Sequence, residues 1–144
     1  MNLPSVTLAR RIKASPPRVW AAITRPEQMI QWWGPDAGPT LSAQADVRPG
    51  GRFSIVFRLL NGDEHNPTGV YREVVREKKL VFTWEWPGAP ERESLVTFRL
   101  EPFDGGVELT LIHEQLLDEE TRESHAAGWC GLLDKLPVFL EGFR

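Results

Sequence analysis

His113 and His125 are the residues of this sequence best suited to acid–base chemistry, because the imidazole side chain titrates near neutral pH. His113 continues the alternating apolar pattern of residues 107–111, so we expect its ring on the inward face of a strand. His125 falls on the apolar face of a predicted helix. If both rings line one cavity, they could exchange protons with a bound molecule, although a single inward histidine is more often a hydrogen-bonded core residue.

The other reactive groups predict no catalytic or metal site. Cys130 is the single cysteine, and its place beside Trp129 in a predicted helix is typical of an inert core thiol. The run HEQLL at 113–117 lacks the second histidine of a zinc-protease helix, and PGGRF lacks the Gly-Lys-Ser/Thr ending of a phosphate loop. Three scattered histidines and one cysteine make no structural zinc set. We therefore predict no catalytic residue, no metal and no cofactor, and we consider an enzyme the less favoured interpretation.

Length and charge narrow the class of protein. The 144 residues fit one domain, which we predict to span 1–144. The net charge of −3 and the absence of a Lys/Arg block disfavour binding to nucleic acid or to an anionic membrane. The sequence has no signal-peptide pattern and no apolar run of about 20 residues that could span a membrane. With a single cysteine, which fits a reducing compartment, we expect a cytoplasmic protein.

Hydrophobic periodicity predicts the elements that must position these side chains. A strand over 5–13 precedes two short helices, the first opened by Ser15 as N-cap and the second ended by Gly34-Pro35. Strands joined mostly by hairpins follow, with turn signals at Asn61-Gly62 and at 104–106. Since consecutive hairpins make an antiparallel sheet, one face of that sheet needs a cover.

The last segment supplies that cover. It begins at Asp118 as N-cap and runs to residue 143 as one long helix with a continuous apolar face. Pro137 should kink this helix or distort its last turns. The pattern predicts an α+β fold in which a curved antiparallel sheet of six or seven strands grips a long C-terminal helix.

Several stretches resemble one known family over nearly the whole chain. RRIKASPPRVWAAITRPEQMIQWWGP at 10–35 is similar to the opening motif of the Hsp90 ATPase activator homologue (AHSA1-like) family, a branch of the START-like, birch-pollen-allergen (SRPBCC) superfamily. RPGGRF at 48–53, GVYREVVREKKLVFTWEW at 69–86, ELTLIHE at 108–114 and Gly128-Trp129 resemble its later strands and helix. The resemblance implies a helix-grip fold with a hydrophobic cavity between the sheet and the long helix.

The cavity residues that we predict are inward-facing aromatic, histidine and leucine side chains. Aromatic residues of this kind commonly fill a core, but a curved sheet and one helix leave a volume that is hard to fill at native density. One of the two adjacent tryptophans should pack beneath the sheet and helix and the other at the cavity rim. The predicted set is Trp32, Trp33, Phe53, Phe57, Phe82, Trp84, Trp86, His113, His125, Trp129 and Leu133.

Three functions are compatible with this sequence. The first is binding of a hydrophobic or aromatic small molecule in the cavity, which needs no catalytic residue. The second, implied by the family name, is binding to a chaperone with a stress-response role, although eukaryotic activators carry an additional N-terminal domain that this sequence lacks. The third is a cavity enzyme, since superfamily members include cyclases and hydrolases of polyketide-like substrates, and some relatives trap reactive natural products. Exposed strand edges also make a homodimer an open alternative.

Overall fold

The computed structural model describes residues 3–34, 36 and 38–141. Its strands, numbered along the chain, are β1 (Val6–Ile12), β2 (Thr40–Ala45), β3 (Arg52–Arg58), β4 (Glu64–His65), β5 (Thr68–Val75), β6 (Lys79–Trp84), β7 (Ser94–Phe103) and β8 (Gly106–Glu114). Its helices are α1 (Pro16–Thr24), α2 (Pro26–Trp32) and α3 (Glu119–Glu141), and a 3₁₀ turn lies at Pro90–Arg92.

The strands form one antiparallel sheet in the order β1-β8-β7-β6-β5-β3-β2, and the two-residue β4 pairs with β3 beside this path. Helix α3 packs against β1, α1 and α2, so the short helices and the long helix cover the same face of the sheet. A seven-strand path, two short helices after the first strand and a long C-terminal helix confirm the predicted helix-grip fold.

Period-two patterning directs the aromatic side chains of the sheet toward the core. Phe53 and Phe57 in β3 are buried, whereas Arg52 and Arg58 on the opposite face are exposed. Strand β6 lies in the middle of the sheet between β5 and β7, and Thr83 is buried on its other face as well. The predicted inward faces of β3 and β6 are therefore confirmed.

Gly69 in β5 allows the sheet to bend around Phe53. A Cβ atom at this position would overlap the carbonyl oxygen of Thr83 and the ring of Phe53. The pairing of β5 with β6 also shifts register between Tyr71 and Glu73. A glycine and a bulge in one strand both favour local bending, and the resulting curvature leaves room between the sheet and α3.

The predicted helix caps differ in chemistry. Ser15 occupies the N-cap of α1, but its side chain makes no capping hydrogen bond. Asp118 does cap α3, since its Oδ1 accepts the N–H of Thr121 at 2.8 Å.

Within the described residues, no helix combines the length and apolar character that a bilayer span requires.

The sequence also predicts where α2 and α3 end, and parts of both predictions lie outside the described residues. Helix α2 ends at Trp32, and Pro35, which the sequence suggested as part of its stop signal, lies outside the described residues. Helix α3 continues through Pro137 to Glu141, and the expected end at residue 143 lies outside the described residues as well.

Candidate functional site

A cavity of about 480 Å³ lies between α3 and one end of the sheet. Strands β3 and β6 run in the same direction, because each pairs antiparallel with β5. Phe57 and Trp84, near the C-terminal ends of these strands, therefore reach the same end of the sheet. Residues 124–132 of α3 form the facing wall. The larger apolar lining residues are Trp33, Phe57, Leu59, Trp84, Trp86, Trp129 and Leu132.

The structure separates the predicted cavity residues into two groups. Six of the predicted set line the cavity: Trp33, Phe57, Trp84, Trp86, His125 and Trp129. Five are buried without being part of its lining: Trp32, Phe53, Phe82, His113 and Leu133. Contact of any of these residues with a ligand stays a prediction.

The adjacent Trp32 and Trp33 have different surroundings because α2 ends between them. Trp32 is the last helical residue, and its Nε1 donates to the carbonyl oxygen of Ala22 in α1 at 2.9 Å. Trp33 has an extended backbone, and its ring lies 6.4 Å from Trp84 and 6.0 Å from Trp129 between centroids. The change of backbone conformation therefore places Trp32 against α1 and Trp33 on the cavity wall.

Lys135 ties the segment after Trp33 to α3. Its Nζ donates to the carbonyl oxygens of Trp33 at 3.2 Å and Asp36 at 2.7 Å. The Asp36 carboxylate accepts the N–H groups of Gly38 at 2.8 Å and Leu60 at 3.1 Å, and these bonds hold the pKa of Asp36 below its ordinary value. Burial lowers the pKa of Lys135, and the charge of Asp36 opposes that shift. Both charged groups thus serve to fix this segment.

Trp84 occupies the centre of the aromatic wall. Its ring centroid lies 5.2 Å from that of Trp129, 5.9 Å from Trp86 and 6.4 Å from Trp33. The indole nitrogens of Trp33, Trp84 and Trp86 are buried and have no hydrogen-bond partner among the described residues. Large flat rings of this kind suit packing against an aromatic molecule.

The hydrogen bonds of His113 fix its tautomer. Nε1 of Trp129 donates to Nδ1 at 2.9 Å, so the proton of the neutral ring lies on Nε2, which donates to Oγ of Ser94 at 2.6 Å. Burial, and secondarily the neighbouring His125, lowers the pKa of His113 to about 3. A neutral ring whose Nε2 already carries a proton cannot accept the proton of Ser94. This pair is therefore a buried structural link and not a serine nucleophile with its base.

His125 has the opposite tautomer. Its Nδ1 lies 2.8 Å from the carbonyl oxygen of Thr121, which can only accept, so Nε2 is the unprotonated nitrogen and has no partner among the described residues. Burial lowers the pKa of His125, the Thr121 carbonyl opposes that shift, and the charge of Arg92 adds to it. The ring meets His113 edge to face at 4.9 Å. Of the two histidines, only His125 lines the cavity.

The chain matches a family model described as "Activator of Hsp90 ATPase homolog 1-like protein" over residues 13–141. It belongs to this family. Two solved structures resemble the AHSA1-like chain at 25% and 26% identity. A protein from Chromobacterium violaceum has a TM-score of 0.83, covering 95% of this chain and 96% of that one. CalU16 from Micromonospora echinospora has a TM-score of 0.73, with 94% and 75% covered.

A third structure, which is less similar in sequence, supports only the fold of this AHSA1-like protein. The AHSA1-like protein from Aeromonas hydrophila, solved by NMR, is 20% identical, has a TM-score of 0.82 and covers 96% of this chain and 93% of that one. No curated protein matches the chain.

Eight residues that line the AHSA1-like cavity were absent from the predicted set. They are Asp36, Leu59, His65, Arg92, Ser124, Ala127, Gly128 and Leu132. His65 packs its ring 5.6 Å from Phe57 and 5.8 Å from Trp86, although it follows a turn-rich segment without periodicity. Arg92 lies in the Pro- and Gly-rich connection after β6, where no pattern indicates an inward side chain. Only Leu59 continued a predicted inward face, as the residue two positions after Phe57.

Proposed function

We propose that this AHSA1-like protein binds a hydrophobic or aromatic small molecule in the cavity between the sheet and α3. The observation that carries the proposal is a cavity of about 480 Å³ whose lining includes four tryptophans and Phe57. Small-molecule sites are typically clefts of about 300–1,000 Å³ with mostly apolar walls and a few polar groups. Family membership and the helix-grip fold support the same function.

Binding accounts for the polar groups better than catalysis does. His113 is buried with both ring nitrogens in hydrogen bonds, and Asp36 is occupied by two backbone N–H groups. His113, the predicted partner of His125 in proton exchange across a ligand, is thus not part of the cavity lining. A cytoplasmic location and the absence of a cofactor remain part of this proposal.

Chaperone binding is the alternative that the family description suggests. An exposed apolar patch around Trp32 and Trp33 would have favoured it, but these side chains are only 2% and 3% exposed. The most exposed large apolar residues, Leu60 and Val138, lie on different elements, the connection after β3 and helix α3. We therefore place small-molecule binding first.

Blocking the cavity tests the proposal. Ala127 lines the cavity from an exposed position on α3, so Ala127→Phe should fill the space without disturbing the core. Val138→Phe adds a ring to the same helix at a position that is not part of the lining, and it is the matched control. By calorimetry, we expect saturable binding of naphthalene-2-carboxamide to wild type and Val138→Phe, and binding at least about tenfold weaker to Ala127→Phe.

Two results would contradict small-molecule binding in this cavity. One is equal affinity of Ala127→Phe and wild type for the naphthalene probe. The other is the absence of any interaction with neutral and anionic naphthalene and anthracene compounds, together with no small molecule released when gently purified protein is denatured and analysed by mass spectrometry. Pull-down with the cell's chaperone would then be the informative experiment.

A further inference from the structure

Arg92 places a permanent positive charge on the wall of this aromatic cavity. It is the last residue of the 3₁₀ turn, and its backbone N–H donates to the carbonyl oxygen of Ala89 at 3.0 Å. Its guanidinium carbon lies over the ring of Trp86, 5.6 Å from the centroid. The side chain is half-buried, and the contact with Trp86 restrains the guanidinium beside the cavity.

Within residues 3–34, 36 and 38–141, no carboxylate forms an ion pair with Arg92. Among the described residues, eight other arginine or lysine side chains form ion pairs within 4.0 Å, but Arg92 forms none. Hydrogen bonds from Thr121, and to a smaller extent the charge of Arg92, lower the pKa of Asp118. Oδ1 of Asp118 caps α3. Asp36, which also lines the cavity, is held by Gly38 and Leu60. The guanidinium therefore retains donors that a carboxylate can accept from.

The neighbouring rings contribute apolar surface to the same wall. Trp33, Trp84, Trp86 and His125 all line the cavity, but Nε1 of each tryptophan and Nε2 of the histidine are buried. A ligand therefore meets ring carbons at these residues, and the charge of Arg92 decides which polar group it should carry.

The number of cations limits the charge of the ligand. Among the described residues that line the cavity, Arg92 is the single lysine or arginine, and Lys135 outside the lining is bound to two backbone carbonyl oxygens. One guanidinium balances one negative charge, and its planar fork matches the two oxygens of a carboxylate. A phosphate would bring a second charge into an aromatic cavity with no second cation to receive it.

We propose that the ligand is a flat aromatic molecule bearing a carboxylate, whose oxygens accept hydrogen bonds from Arg92 while its rings pack against Trp84 and Trp86. This inference rests on the proposed function and adds the chemical class of the ligand to it. The carboxylate distinguishes this ligand from neutral aromatic compounds of the same shape.

A matched pair of probes tests the charge separately from the shape. Naphthalene-2-carboxylate and naphthalene-2-carboxamide differ in charge but little in size. The ratio of their affinities, measured by calorimetry at low salt, therefore gives the contribution of the negative charge to binding. We expect wild type to bind the carboxylate at least about tenfold more tightly than the amide, as a charge-assisted hydrogen bond would provide. In Arg92→Gln, this ratio should fall to about one while the affinity for the amide stays within about twofold of wild type.

Arg76→Gln is the matched control. Arg76 lies on the turn after β5, at the opposite end of β6 from Trp84, and its removal changes the net charge by the same amount. This variant should keep the wild-type preference for the carboxylate. Thermal unfolding checks that both variants are folded. Independently of any variant affinity, the Nε–H signal of Arg92 in wild type should shift on addition of the carboxylate and not of the amide.

The outcomes separate this inference from the proposed function. Equal affinity of wild type for carboxylate and amide would overturn the inference and leave hydrophobic binding intact. If Arg92→Gln lost affinity for both probes by the same factor, the inference would also be overturned, because Arg92 would then serve only to hold the Trp86 ring. If neither probe nor any related compound binds to wild type, the proposed function falls, and the inference falls with it.

Discussion

Acidification from pH 7 to pH 5 should destabilise the protein through His113. This ring is fully buried, and it holds Trp129 and Ser94 together in its neutral form. A second proton on Nδ1 would break the hydrogen bond from Trp129, because Nδ1 would become a donor facing another donor. Protonation of this histidine breaks no such hydrogen bond in the unfolded chain, so a fall in pH favours unfolding.

The magnitude follows from the two pKa values. The ordinary pKa of the imidazole is 6.5, and in the folded protein that of His113 is about 3. The unfolded state binds the proton more strongly over this interval, so the contribution of His113 is complete above the unfolded pKa and is lost as the pH falls toward the folded one. Linkage gives a loss of about 2 kcal/mol in the free energy of unfolding between pH 7 and pH 5.

Urea unfolding followed by tryptophan fluorescence at both pH values measures this loss. We expect His113→Gln to lose about 2 kcal/mol less than wild type between pH 7 and pH 5, because the carboxylates contribute equally to both proteins and burial, not His125, is the main cause of the His113 shift. The reasoning would be refuted by equal pH dependence in His113→Gln and wild type, or by NMR titration of His113 near its ordinary pKa.

Three further predictions concern the residues that shape the cavity. Lys135→Met should lower the free energy of unfolding by about 1–3 kcal/mol, because two loop carbonyl oxygens lose a donor, whereas Lys78→Met on an exposed turn should match wild type in urea. Trp84→Ala should cost about 3–5 kcal/mol in the same assay. Trp84→Phe should cost clearly less, since its Nε1 has no partner to lose, and equal losses would argue against this packing. Gly69→Ala should cost at least about 1–3 kcal/mol by overpacking against the carbonyl oxygen of Thr83 and the ring of Phe53, and an unchanged urea midpoint would contradict these close approaches.

The sequence predicted the architecture because periodicity and turn chemistry are local. The alternation in β3 and β6 determined which side chains face α3, and Gly62 and Gly105 have the positive φ values that their predicted turns require. The amphipathic pattern of α3 likewise predicted burial of Trp129, Leu133, Leu136 and Leu140.

The same periodicity could not separate cavity wall from filled core. Phe53 and Phe57 lie on one face of β3, yet only Phe57 lines the cavity, because position along the strand decides the difference. Alternation gives the face of a residue but not its depth. Likewise, no local pattern relates His113 to Trp129 and Ser94, since their contacts depend on how β7, β8 and α3 pack.

Arg92 shows the same limit for charged residues. The proline and the glutamates around Arg92 indicate a solvated turn. Arg92 lies over Trp86 only because the connection after β6 folds back on the cavity. The family resemblance predicted a cavity at this position in the fold. The charge on its wall is a property of this chain that the matching motifs did not contain.

The contiguity of the indole rings has an optical consequence. Trp32, Trp33, Trp84, Trp86 and Trp129 are connected by centroid separations of 5.2 to 6.4 Å. Excited states of indoles this close couple with one another, so absorbed energy is shared among the five rings before any of them emits. Far-ultraviolet circular dichroism should therefore carry an exciton couplet from the strong indole transitions. An acceptor that quenches one ring at the cavity wall should reduce the emission of the other rings as well, including Trp32, which it does not contact.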